Sequence, residues 1–376
     1  MKKIHYTLLI ILTLAIAAGC EDFMEIHQKY IETGEIIYSP KTDSVAFIAG
    51  KERILFRFWL YNSPNVKSVN LYWNNDLDSL VMPVTPTTGR DSMDVILPNM
   101  AEKSYTFHVH TIDKYGHPSL TVTDFGTSYG EFFQNSLANR RIRNVSMTDE
   151  GGIISWFSAA ENLTSNEIRY TKRDGTTAVV RMPAGENSVV CPEAKTSSSF
   201  EYRSLYIPEE EAIDTFAVAW KQHETSFPAI YEYNKSGWTV TGWSDQEVSD
   251  GGGVTSLLDG NLNNWWHSQW SDGGRPLPHW VIIDLSSSKR ICRIDTWRRP
   301  GSGDAKTVQY FVSNNPDPEA ASWVKVAEGV FTSGDKLTID IPDPGITDQG
   351  RYLKLVLPDS NRAPHTSIAE ISLYGN

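Results

Sequence analysis

The sequence predicts an all-β chain: two small β-sandwiches followed by a β-sandwich jelly roll. Three observations carry this. Short runs rich in β-branched and aromatic residues recur, bounded by Asn, Gly, Pro and Asp. No stretch of the C-terminal part, 236–376, has the spacing of a long amphipathic helix. The 376 residues exceed one ordinary domain, so two or three are expected. The formal charge of −12 argues against nucleic acid as a partner, because a phosphate backbone is gripped by clustered Lys and Arg.

The N-terminus is a leader rather than fold. "MKKIHYTLLIILTLAIAAGC" has a positive start, an apolar run over about 8–16, then small residues. That is secretory-signal anatomy. It ends Ala17-Ala18-Gly19-Cys20, which resembles the bacterial lipoprotein box, although that family prefers leucine where Ala17 stands. The resemblance implies a signal peptide over 1–19 and lipidation of Cys20; the polar-apolar lead that follows, to 37, reads as a tether, with a brief helix over 23–37 as the alternative. An ordinary signal peptide with a chance cysteine is the alternative. Glu21 and Asp22 resemble the surface-export signal of Bacteroidota lipoproteins, which implies an outer-membrane, cell-surface location. No other apolar run is long enough to span a bilayer, so the lipid is the expected membrane anchor.

Strands follow. "RILFRFWL" (53–60) and "SVNLYW" (68–73) are rich in strand formers. "SYTFHVHTIDKYG" (104–116) alternates Tyr105, Phe107 and Val109 against Thr106, His108 and His110. Its spacing of Tyr, Phe, Val, Thr, Asp and Gly resembles the late strand and turn of fibronectin type III domains. "GGIISWFS" (151–158) is a buried strand, "NEIRYTKRDGTTAVVRMP" (166–183) a hairpin turning at Asp174-Gly175, and "FEYRSLYIP" (200–208) another alternating strand. Two fibronectin type III-like sandwiches are expected, over 38–127 and 140–222. Together they resemble a paired module of unassigned function in Bacteroidota surface lipoproteins. "FPAIYEYNKSG" (227–237) reads as the linker to a third unit.

That unit, 236–376, offers strands at 279–285, 308–313, 323–328, 336–342, 352–358 and 368–375, an antiparallel jelly roll by count and length. "SLLDGNLNNWWHSQW", "PHWVIIDL", "YFVSNNP", "RYLKLVL" and "AEISLYG" follow one another in the order of the coagulation factor V/VIII type C (discoidin) family. Bacterial members of that family include the family-32 carbohydrate-binding modules. Two departures stand out: Ser313-Asn314-Asn315-Pro316 replaces the usual Ser-x-Asp-Gly, and Asn264 replaces a threonine.

The resemblance implies a structural calcium between the Asp-Gly loop and the glutamate of Ala-Glu-Ile. The expected ligands are Asp259, Asn264, Glu370 and the carbonyls of Asn261 and its neighbours, since calcium takes six to eight oxygens. An asparagine-rich turn capped by Asp259 is the alternative. Trp266 takes the family's buried aromatic position, and Trp265 faces away or lies over the loop. Trp270, between Gln269 and Ser271-Asp272-Gly273-Gly274, is expected to be exposed. An indole covers the apolar face of a sugar, and His267, Arg298 and Arg299 can bond its hydroxyl edge. Packing of Trp270 against a neighbouring domain is the alternative. His279 and Trp280 read as structural.

Other constellations do not assemble. "SDGGGVTS" lacks the ending of a phosphate loop. "IPEEEAID" (207–214) reads as a solvated face, and His108 with His110 suggests no third metal ligand. Cys191 and Cys292 fall in different domains and read as buried free thiols. The whole describes a non-enzymatic, lipid-anchored, cell-surface carbohydrate-binding protein on a sandwich stalk. An adhesin for protein or matrix is one alternative. An accessory subunit of an outer-membrane transporter is another.

Overall fold

A computed structural model describes residues 37–342 and 349–376. The leader, Cys20 and nearly all of the expected tether lie outside the described residues. Within them the fold is all-β. Helix is confined to Glu131–Ser136 and a 3-10 turn at Val254–Leu258. No helix among the described residues is long and apolar enough to cross a membrane. The described residues divide into two compact units, one holding 37–136 with 207–216, the other 137–206 with 217–342 and 349–376.

The first unit is a two-sheet sandwich. One sheet orders Ser44–Ala49, Arg53–Tyr61 and Arg90–Pro98. The other orders Asp78–Pro83, Val66–Trp73, Lys103–Asp113 and Val122–Ser128. The alternation read in 104–116 is the packing rule, for Tyr105, Phe107 and Val109 are all buried. Phe107 stacks on Phe47 at 4.0 Å between ring centroids, and Phe47 on Phe56 at 4.8 Å. An aromatic column thus joins the sheets. His108 and His110 have separate partners, Asp76 and Thr121. The acidic run at 207–214 keeps its three glutamates exposed and turns its last acid to a partner. Asp214 accepts from Arg53 through both oxygens, at 2.8 and 2.6 Å.

In the second unit the hairpin forms as read. Leu163–Thr171 pairs with Thr177–Pro183, and the turn is fixed by the Thr176 amide donating to Asp174 Oδ1 at 2.8 Å and by Gly175 at φ +87°. Phe200–Tyr206 pairs on the other side of Leu163–Thr171. The facing sheet orders Ser188–Pro192, Gly151–Trp156 and Ile142–Thr148. Among the described residues Cys191 and Cys292 are free; Cys191 is buried, which pushes its thiol up to about 12, and Cys292 is only half-buried.

The segment read as a linker is anchored by three buried rings, Phe227, Tyr231 and Tyr233. Phe227 presses on Gly152, where a Cβ would lie 2.2 Å from the ring. Tyr231–Glu232 pairs with Ser367–Gly375, and the Tyr233 hydroxyl donates to Arg290 O at 2.7 Å. One hydrophobic core therefore runs from Ile154 and Phe200 through Phe227 and Tyr233 to Trp266 and Leu373.

The C-terminal jelly roll turns on one long strand, His279–Arg298. Its first half pairs with Thr239–Trp243 and Gln349–Leu357. Its second half pairs with Ser367–Gly375 and Lys336–Asp340. Between them the register shifts past Asp284, and Ser286 takes φ +65°. The bend lets one strand serve both sheets. Thr307–Ser313 and Val324–Val330 extend the first sheet.

Candidate functional site

Trp266 and His267 form a two-residue strand paired to Ile368 and Ser367. Alternation sends Trp266 inward, and it is 0% exposed, its indole N–H donating to Asp245 O at 2.9 Å. Residues 265 and 267 therefore face the loops. The next loop carries Trp270 out to 45% exposure. Its backbone is pinned on both sides. The Gln269 amide donates to Asp245 Oδ1 at 2.7 Å, and the Ser271 amide to Glu247 Oε2 at 3.2 Å. Both carboxylates are buried.

These two acids were not singled out in the sequence, and they organise the site. Hydrogen bonds from Ser249 and Ser271 hold the Glu247 carboxyl down at about 2. Burial pushes the Asp245 carboxyl up, but His279, the Gln269 amide and the Ser244 hydroxyl outweigh it and hold it below its ordinary value. His279 lies fully buried between Asp245 Oδ2, 2.7 Å from Nδ1, and Pro364 O, 2.8 Å from Nε2. Both neighbours accept, so both ring nitrogens donate. Burial alone would lower the imidazole pKa; the bonds to Asp245 and Pro364 and the Asp245 charge raise it. His279 is thus a clamp joining the 244–250 loop to the 359–366 loop, the structural role expected of it.

Arg299 belongs to the same network. Its guanidinium lies 4.2 Å from the Trp265 ring centroid and bonds Asp250 Oδ2 at 3.2 Å. Gly251 covers Trp265 from the loop backbone: at φ +92° a Cβ would sit 2.4 Å from the indole. Trp265 is therefore sandwiched, and its buried Nε1 has no partner. Asp250 and Glu247 share a turn, the amide of one donating to the carbonyl of the other at 3.3 Å. On the other side, Gly274 brings the Trp270 loop against Pro364 and His365.

Two expected ligand contacts are corrected. Arg298 points away from this network. It bonds Asp335 at 3.2 Å and Ala305 O at 3.3 Å and lies over Phe331, because consecutive residues at a strand end take opposite sides. His267 is buried. Its Nδ1 is 2.7 Å from Ser268 O and its Nε2 is 3.8 Å from Asp304 Oδ2, which makes it floor rather than rim. His365, which the sequence reading passed over, lies 6.2 Å away ring to ring, and its buried Nδ1 has no partner.

Glu370 and the Asp259-Gly260 loop do meet, but each expected carboxylate ligand already holds donors from the protein. Glu370 is buried, and its Oε1 accepts from the Lys235 ammonium at 2.8 Å. Its Oε2 accepts from the Gly260 amide at 2.6 Å. Asp259 is exposed and accepts from the Asn261 amide at 2.8 Å and Asn264 Nδ2 at 2.9 Å. That is a self-capped turn. An ammonium on the carboxylate expected to hold the ion leaves no fit for a divalent cation there.

The profile of DUF4998, a domain of unknown function, matches residues 20–216, more than half of the 376-residue chain. The chain belongs to the DUF4998 family. In this DUF4998 protein a second profile, the F5/8 type C domain, matches residues 239–371, so the C-terminal domain is of the discoidin type. Among curated proteins, a sialidase of Micromonospora viridifaciens is 24% identical over 136 residues, 35% of this chain and 20% of the sialidase. The match thus spans a fifth of that relative. The chain is also similar to the C-terminal domain of a chitobiase from Bacteroides fragilis, with 29% identity, 39% of this chain, 97% of that one and a TM-score of 0.34. A family 32 module of Clostridium perfringens solved with galactose has 21% identity over 39% of this chain and 98% of that one, with a TM-score of 0.33.

Proposed function

We propose that this DUF4998 protein is a lipid-anchored glycan-binding protein of the outer-membrane surface, and that its C-terminal domain binds sugar without acting on it chemically. One observation carries the binding: Trp270 stands 45% exposed on a loop held from beneath by two buried carboxylates. A flexible exposed tryptophan would lose conformational freedom on binding; a pinned one has lost it already. The indole offers a flat apolar face for the C–H side of a pyranose. Arg299 and Asp250 hold donors and acceptors for its hydroxyls in the same network.

A binding rather than catalytic role is supported by how the acids are used. Asp245 and Glu247 are both engaged in holding backbone, and both are kept charged. Neither is poised to give up or take a proton near neutral pH. The anchor is supported by Ala17-Ala18-Gly19-Cys20 behind an apolar run, and the surface location by Glu21-Asp22.

A single shallow face implies weak sites, with a dissociation constant of about 0.1–1 mM, roughly −4 to −5.5 kcal/mol. Many anchored copies raise the avidity for a polymer without new contacts. A glycan array probed with the full chain tests the reading. Retention of a defined sugar class is expected, and a blank array at millimolar-sensitive loading contradicts it. Cys20→Ala is expected to release the protein from membranes. External protease is expected to remove the wild type from intact cells.

A further inference from the structure

Glu370 is a buried acid at the centre of the C-terminal domain's last strand, and a buried carboxylate needs a cation or strong donors. Its two oxygens face different parts of the chain. Oε2 takes the amide of Gly260 and so ties down the Asp259-Gly260 loop. Oε1 takes the ammonium of Lys235, which also donates to Ile371 O at 3.1 Å. The lysine is itself well covered, its side chain 16% exposed against 5% for Glu370. This is no surface pair screened by solvent. Lys235 comes from the segment 227–237, anchored on either side by Tyr233 on Arg290 O and by the Trp238 amide on Lys235 O.

We infer that the Lys235 ammonium is the built-in cation of this domain, taking the structural place that the discoidin resemblance gives to calcium, so that the loop and the last strand are locked together without metal. Two chemical facts support it. A divalent ion and an ammonium on one buried carboxylate repel each other, so the two occupants exclude one another. Of the remaining expected ligands, Asp259 is already engaged by donors of its own turn, the Asn261 amide and Asn264 Nδ2. The lysine also joins the segment leading out of the second sandwich directly to the jelly roll, which a free ion would not do.

The test uses the full chain, with thermal melting in excess EDTA and in 5 mM calcium chloride as a probe condition, and calorimetric titration with calcium. The wild type is expected to melt at the same temperature in both and to give no calcium-binding heat. Lys235→Met strands Glu370 and is expected to lower the melting temperature of the second unit by roughly 5–10 °C. Glu370→Gln combined with Lys235→Met is expected to lose no more than Lys235→Met alone, because the pair acts as one. Lys235→Arg, which keeps the charge, keeps the proposal open to test even where Lys235→Met fails to fold. It is expected to melt far closer to the wild type than Lys235→Met does. A calcium-dependent rise in the wild-type melting temperature overturns the inference. So does a Lys235→Met protein as stable as the wild type.

Discussion

The stretch "LDGNLNNWWHSQW" holds two loops that look alike in sequence and behave oppositely. In the first half, Asp259 through Asn264, the loop bonds largely to itself: Asp259 caps Asn261 and Asn264, Asn261 caps Asn263, and the Gly260 amide goes to Glu370. In the second half the polar groups come from elsewhere, Asp245 and Glu247 beneath Gln269 and Ser271, and the aromatic ring is left out. A loop that satisfies itself has nothing to offer a ligand. A loop satisfied from below presents its apolar side chain already ordered, and that is where binding energy is available.

The contrast can be broken in order of severity. Trp266→Ala empties a core position beneath both halves and is expected to destabilise the second unit by ~4 kcal/mol, read as a lower denaturation midpoint. His279→Ala leaves buried Asp245 without its partner and is expected to remove about 3 kcal/mol, together with the order of the Trp270 loop. The His279 clamp also has a pH signature. The folded-state pKa is raised, so its stabilisation is complete below about 6.5 and is lost as pH climbs through the raised value. The melting gap between wild type and His279→Ala is therefore expected to narrow from pH 6 towards pH 9; a gap that widens contradicts the doubly protonated clamp. Asp259→Ala disturbs only the self-capped half. It is expected to remove about 0.5–1 kcal/mol, by the same amount with and without calcium, and to leave sugar binding intact.

Much of the fold was legible because local patterns decided it. The alternation at 104–116 gave the buried face of a central strand, Asp174-Gly175 gave a hairpin turn, and the ordered discoidin motifs gave the core position of Trp266. What escaped depends on distant partners. The expected strand stopped at Leu285, yet the strand bends on through Ser286 to Arg298. Arg298 and Arg299 are neighbours of one type; Phe331 and Asp335 claim the first, Trp265 and Asp250 the second. Asp245 and Glu247 sit in "SDQEVSD", a plain polar turn until the loop 24 residues on closes over it. Lys235 stood just outside the expected domain, 135 residues from the acid it pairs with.

The central claim is that one pinned, half-exposed indole makes this domain a sugar binder. Calorimetric titration of the full chain and its Trp270→Ala variant, with the glycan the array identifies, tests it directly. The wild type is expected to bind at about 0.1–1 mM. Trp270→Ala is expected to lose ~1–3 kcal/mol, enough to erase a measurable heat, while its melting temperature stays within a degree or so of wild type. Arg298→Ala, which alters a strut away from the rim, is expected to keep the affinity. Undiminished binding by a well-folded Trp270→Ala protein would contradict the account and move the site elsewhere on the molecule.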